Sequence, residues 1–172
     1  MRLVDLVVPL SDELQCHRFV EECLFVDIAG SEAAVLSTWR FMWKRSFCVV
    51  LSMPEHGDPA GTMKRTVEEV RRFVRNRFRK LPLLPPVETY LVLGCRSDAF
   101  ERWSHEIPNL LDRSPLHLNR IAGAIVIDED RFRSSATDDP QQPVRPGKHL
   151  GLIADVVARW CERRRAAAAG TV

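Results

Sequence analysis

The sequence predicts an α/β fold: a mostly parallel sheet with helices on both faces. Two observations carry that expectation. Residues 47–53 read as an unbroken apolar strand, the pattern that burial on both faces of a sheet produces, and residues 87–93 read as the next buried strand. Between them, residues 62–80 are amphipathic. Met63, Val67, Val70 and Val74, with Leu81 just beyond, recur at three- and four-residue steps, and Phe73 and Phe78 widen the stripe. At 172 residues the chain has the length of one domain. That domain is expected over 1–165, with a disordered tail over 166–172.

The other elements follow in chain order. Residues 3–8 are rich in β-branched side chains and stop at Pro9, which predicts a first strand. Ser11 or Asp12 is a candidate cap for a helix over 13–23. Residues 24–29 are a continuous apolar run with one Asp and predict a strand. Leu36, Trp39, Met42 and Trp43 stand at helical spacing and predict a helix over 32–44. After helix 62–80, closed by Leu81-Pro82, and strand 87–93, Ser97 or Asp98 caps a helix that Pro108 limits. Residues 121–127, interrupted by Gly123, predict another strand. The polar, proline-rich stretch 128–148 reads as a loop. The last helix, 150–164, sets Leu150, Ile153, Val157 and Trp160 on one side.

Composition removes several classes of function. No run of about eighteen apolar residues occurs, so no transmembrane helix is expected. The N-terminal Met1-Arg2-Leu3-Val4-Asp5 has an acid in its apolar stretch and no small-residue cleavage site, against a signal peptide. Five cysteines without Cys-x-x-Cys spacing indicate neither a disulfide framework nor a zinc site, and point to a reducing, intracellular, cytoplasmic compartment. The five histidines form no ligand pair at helical spacing, so no metal is expected. A net charge of +2 is too small to announce nucleic acid. Cys95, at a strand end before a helix, is a candidate nucleophile. A Cys-x₅-Arg phosphatase loop, however, would need Arg where Glu101 stands. Asp128-Glu129-Asp130 offers carboxylates to Mg²⁺, a pattern that a solvated loop start also shows.

Three strand ends carry polar clusters: Glu55-His56-Asp58, Cys95-Arg96-Ser97-Asp98 and Asp128-Glu129-Asp130. In a doubly wound sheet, ligands sit where such loops converge. The order of segments resembles the Ras-like small GTPases, and Arg45-Ser46-Phe47 is similar to their Roc branch. Phe25-Val26-Asp27-Ile28-Ala29-Gly30-Ser31-Glu32, followed by an expected helix with Trp39 and Arg40, resembles the Asp-x-x-Gly second switch. Leu93-Gly94-Cys95-Arg96-Ser97-Asp98 stands where that family has its Asn-Lys-x-Asp base-reading turn. Arg133-Ser134-Ser135-Ala136-Thr137 is similar to its Ser-Ala-Lys/Thr guanine loop. The resemblance covers about residues 20–165 and implies a small-GTPase-like fold.

The departures imply a pseudo-GTPase. The family's Gly-x-x-x-x-Gly-Lys-Ser/Thr phosphate loop is absent, with no Lys before Lys44 and no Gly before Gly30. Ser31 replaces the water-orienting Gln, Cys95 the Asn and Arg96 the Lys. Asp98 is retained, but Asp at a helix start is also an ordinary cap. Asp27, Gly30, Ser31, Cys95, Arg96 and Asp98 are thus positions of a degenerate nucleotide site, with no catalytic residue and no cofactor expected. The leading expectation is a non-catalytic interaction or scaffold subunit of a larger complex. Its protein partners would meet Trp39, Trp43, Arg71, Arg72, Arg75 and Arg79, since Trp and Arg are favoured interface anchors. The alternatives are a GTP-binding enzyme with an atypical or partner-supplied phosphate loop, and a nucleic-acid-binding accessory protein using the basic helix 62–80.

Overall fold

The computed structural model describes residues 3–28, 30–40, 44–53, 59–78, 87–109, 111, 119–136 and 149–170. Among these, four α-helices and six strands alternate as α1 (Leu3–Gln15), β1 (Phe19–Ile28), β2 (Ser31–Arg40), β3 (Lys44–Ser52), α2 (Pro59–Phe78), β4 (Val87–Cys95), α3 (Ser97–Glu106), β5 (Asn119–Asp128), β6 (Arg133–Ala136) and α4 (Leu150–Ala169). A single 3₁₀ turn, Ile107–Asn109, follows α3. The fold is α/β, and the strands form one sheet in the order β1-β2-β3-β4-β5-β6.

The sheet is mixed, which corrects the expectation of a mostly parallel one. The β3–β4 and β4–β5 pairs are parallel, whereas β1–β2, β2–β3 and β5–β6 are antiparallel. Parallel neighbours need a crossover, which α2 and α3 supply. The antiparallel neighbours are joined by short connections.

Two core clusters explain why the strands look uniformly apolar. One gathers Met63, Val67, Val70 and Val74 of α2 and Phe100 and Trp103 of α3 onto Val35, Val49, Leu51, Leu91, Leu93 and Val126. The other gathers Leu6, Leu10 and Leu14 of α1 and Ile153, Val157 and Trp160 of α4 onto Leu36, Val50, Val92, Ile125 and Ile127. Consecutive strand residues alternate between the clusters because successive side chains of a strand point to opposite sides.

Several element boundaries differ from the sequence reading. Residues 3–8 open helix α1 rather than a strand: Leu6, Val7, Leu10 and Leu14 fall on one helical stripe, all at most 1% exposed. That stripe runs through Pro9, which was read as a stop. Proline has no N–H, so the carbonyl of Asp5, four residues back, loses its helical donor. The indole Nε1–H of Trp160 on α4 donates to that oxygen at 3.0 Å instead. Helix α1 ends at Gln15, so the expected helix 13–23 is divided between α1 and β1.

The expected helix 32–44 is strand β2 over residues 32–40, and Lys44 opens β3. Ala33, Ala34, Val35 and Leu36 are each 0% exposed and divide between the two clusters. A run buried on both sides follows the strand period whatever its helical spacing. Two smaller corrections concern the C-terminal half. The stretch read as a loop from 128 contains β6, and residues 166–169, expected in a disordered tail, form the last turn of α4. None of the four helices is long and apolar enough to cross a membrane.

Candidate functional site at the carboxyl ends of the strands

Two successive antiparallel pairings leave β1 running in the same direction as β3, β4 and β5. The carboxyl ends of these four strands therefore share one edge of the sheet, where an open α/β sheet binds ligands. The two segments that resemble nucleotide motifs, 27–30 and 95–98, both reach this edge. They remain three strand spacings apart, about 14 Å, because β2 and β3 lie between β1 and β4.

At β1, the Asp-x-x-Gly segment is a hairpin turn. The exposed Asp27 carboxylate accepts the Gly30 N–H at 2.9 Å, Gly30 sits at φ 80°, and Ile28 pairs with Ser31 to start β2. A side-chain oxygen accepting a backbone N–H further along the chain, followed by a left-handed glycine, is ordinary turn chemistry. The segment leads into a strand where the family resemblance placed a helix.

The chemistry at this edge gathers at the ends of β4 and β5. Asp128 is 0% exposed and its carboxylate accepts from four donors. These are the Ser97 hydroxyl at 2.6 Å, the Asp130 and Arg131 backbone N–H groups at 3.1 Å each, and Arg133 Nε at 2.8 Å. Burial alone raises the pKa of this carboxyl. Hydrogen bonds from Ser97, Arg133 and the two amides outweigh it and hold the group below the ordinary aspartate value. Arg133 then ties the turn to α3. Its Nη1 lies 3.0 Å from the Glu101 carboxylate, and its guanidinium carbon lies 4.3 Å from the centre of the Phe100 ring. Phe132, at φ 48°, completes the turn between Asp128 and the residue it pairs with, Arg133.

The neighbouring acids close what remains of the crevice. Asp130 accepts the Ser97 N–H at 2.9 Å, filling the N-terminus of α3 with the chain's own carboxylate. The Glu129 N–H donates to the Cys95 carbonyl at 2.8 Å, and the Glu129 carboxylate lies directly over Gly94, in the space a Cβ there would need. Across the β3 end, Met53 N–H donates to Gly94 O at 2.7 Å.

Helix α3 also corrects the expected cap. Arg96 is the cap residue and makes no side-chain capping bond. Ser97 spends its hydroxyl on Asp128, and Asp98 is an exposed acid of the first turn. Cys95 is 4% exposed, with its thiol 3.5 Å from the Ile127 carbonyl. Burial and then the charges of Asp128, Glu129, Asp98 and Asp130 push that thiol up to about 12, so it is not an activated nucleophile. Among the described residues no grouping of His, Cys, Asp and Glu is placed to hold a metal ion.

Comparison of the chain with protein-family models, with characterised proteins and with solved structures finds no match.

The expected interaction residues are dispersed. Trp39 lies on β2, paired in register with Arg45. Trp43 and Arg79, like the 55–58 cluster, lie outside the described residues. On α2, Arg71 is half-buried, Arg72 is 3.0 Å from Glu69, and Arg75 is exposed. With Lys64 and Arg65 the last two form an exposed basic face. The residues that sequence reasoning missed are Arg133, as a partner of Asp128, together with Phe100 and Glu101. Their only signal was an Asp and an Arg five residues apart, bracketing a tight turn.

Proposed function

We propose that this chain is a non-catalytic domain that works by binding other proteins, its nucleotide-motif positions serving as structural turns. One observation supports this best: the crevice at the ends of β4 and β5 is filled by the chain's own acids. Asp130 occupies the helix end where a phosphate would bind, and Glu129 lies over Gly94. Asp128 has its accepting capacity met by four donors. A nucleotide phosphate brought there would meet carboxylates rather than N–H groups and a lysine. The pseudo-GTPase resemblance contributes the missing phosphate loop to this reading. Its switch helix does not, since β2 stands in that place. An intracellular compartment belongs to the same proposal.

On this reading, titrating GTP or GDP with Mg²⁺ into the purified protein produces no heat beyond dilution. A dissociation constant at or below about 1 μM, equivalent to roughly 8 kcal/mol, would overturn it.

The face offered to a partner is the exposed side of α2, with Lys64, Arg65, Arg72 and Arg75. Reversing these four to Glu should leave the melting temperature within a few degrees, because exposed charges contribute about 0–1 kcal/mol each. The variant should lose the partners that the parent retains in a pull-down. If the parent instead binds labelled duplex or single-stranded oligonucleotides, with affinity falling steeply as salt rises, the face reads phosphates. The nucleic-acid alternative then replaces the protein-binding one.

A further inference from the structure

We propose that this chain pairs with a second copy of itself through the outer edge of β1. Strand β1 ends the sheet on one side, and among the described residues no strand lies beyond it. An edge strand presents a row of backbone N–H and C=O groups that another strand can pair with. The opposite edge strand, β6, has four residues, whereas β1 has ten. Residues 19–28 include none of the prolines and lysines that keep sheet edges apart. Val20 on this edge is 58% exposed, one of two large apolar side chains so exposed among the described residues.

The pairing of β1 with β2 decides which parts of the edge are regular. Register shifts fall between Glu21 and Cys23 and between Cys23 and Val26, so the middle of the strand bends. Residues 19–21 and 26–28, on either side, keep one-to-one pairing. A two-fold axis at the middle of β1 lays the first stretch of one copy along the second stretch of the other, in antiparallel pairing.

The charges select that arrangement. Arg18, at the start of β1, is exposed and ends the turn from α1, its N–H donating to the Gln15 carbonyl at 2.9 Å. At the far end, Asp27 and Glu32 are both exposed and stand directly opposite one another on β1 and β2. Like charges so placed repel. Asp27 accepts the Gly30 N–H, but none of Arg18, Asp27 and Glu32 makes an ion pair among the described residues. Antiparallel pairing brings Arg18 of each copy to the Asp27 and Glu32 end of the other, twice over by symmetry. It also sets no acid of β1 opposite an acid of its copy. With the ends together, Glu21 and Glu22 fall opposite residues 23–26. A parallel, in-register pair would instead set Glu21, Glu22 and Asp27 each against itself. The occupant that fits this edge is therefore a second molecule of the chain.

The test is the mass of the full chain in solution, measured by sedimentation from about 1 μM to 1 mM. A shift with concentration from the monomer toward twice its mass is expected. It should weaken as salt is raised, because the end contacts are exposed charges. Arg18→Glu and Val20→Lys should each weaken association about tenfold or more, with an unchanged circular dichroism spectrum. Asp27→Asn keeps an oxygen for the Gly30 N–H while removing the charge, and should weaken association several-fold. Glu32→Arg added to Arg18→Glu should bring association back toward the parent, which a merely structural effect at Arg18 cannot do. Arg75→Glu on α2 should associate as the parent does, so the α2 face and this edge are read separately. A monomer at every concentration, a dimer that Arg18→Glu and Val20→Lys leave intact, or a double variant that stays dissociated overturns the pairing.

Discussion

Val70→Asp should abolish the cooperative thermal transition of this protein. Val70 is 0% exposed in the middle of α2, in the cluster with Val49, Leu91 and Leu93. The substitution removes a buried aliphatic side chain, worth about 1.5–3 kcal/mol. It also places a carboxylate where the cluster offers only apolar neighbours, at a cost of several kcal/mol or a forced protonation. Domains of this size are stable by only about 5–15 kcal/mol in all. Val70→Ala separates the two contributions: it loses two buried methyl groups, roughly 2 kcal/mol, and should melt lower but still cooperatively. A Val70→Asp variant with the parent's circular dichroism and melting curve would mean that α2 does not pack on the sheet through this stripe.

The second large effect is expected at Asp128. Asp128→Ala strands the Ser97 hydroxyl, two backbone N–H groups and Arg133 Nε without their acceptor. Removing one partner from a buried charged network costs about 3–5 kcal/mol, which for a chain of this length lowers the melting temperature by about 10 °C. A melt within about 2 °C of the parent would show that the Asp128 hydrogen bonds contribute nothing to stability.

The pH dependence of Asp128 follows from the same bonds. Its folded pKa lies below the unfolded value of 3.8, so its stabilisation is fully present above about pH 4 and is lost as the pH falls through the folded pKa. Asp128→Asn lacks this contribution. The stability gap between Asn and parent should therefore be constant from pH 6 to 8 and narrow below about pH 4. A gap of constant size down to pH 2 would assign the stabilisation to shape rather than charge.

How much of this could be read from residues alone varies by element. Strands β3, β4 and β5, with helices α2 and α4, were legible because their apolar spacing has one interpretation: runs buried on both sides, or a stripe at three and four. The motif at residues 27–30 was legible as a turn, and 95–98 as a strand end running into a helix start. Which of their groups meet was not, because Asp128, Arg133 and Ser97 come together only when β5 lies beside β4. Cys95 was a candidate nucleophile beside a helix start, and only the packing shows it buried beside carboxylates that raise its thiol pKa.

By itself the sequence determined the α/β class, the places of the central strands and long helices, and the absence of a phosphate loop. Each depends on residue types within one segment. The tertiary structure decided everything that depends on what lies alongside. Residues 31–40 are a strand because both sides of Ala33–Leu36 find core to bury against. Residues 3–15 stay helical through Pro9, whose orphaned Asp5 carbonyl meets Trp160 from a helix some 150 residues away in sequence. The order of strands puts the two nucleotide-like segments on one edge yet keeps them apart. Local periodicity can name an element, but the partner that satisfies its buried polar groups and covers its second face is chosen by long-range packing.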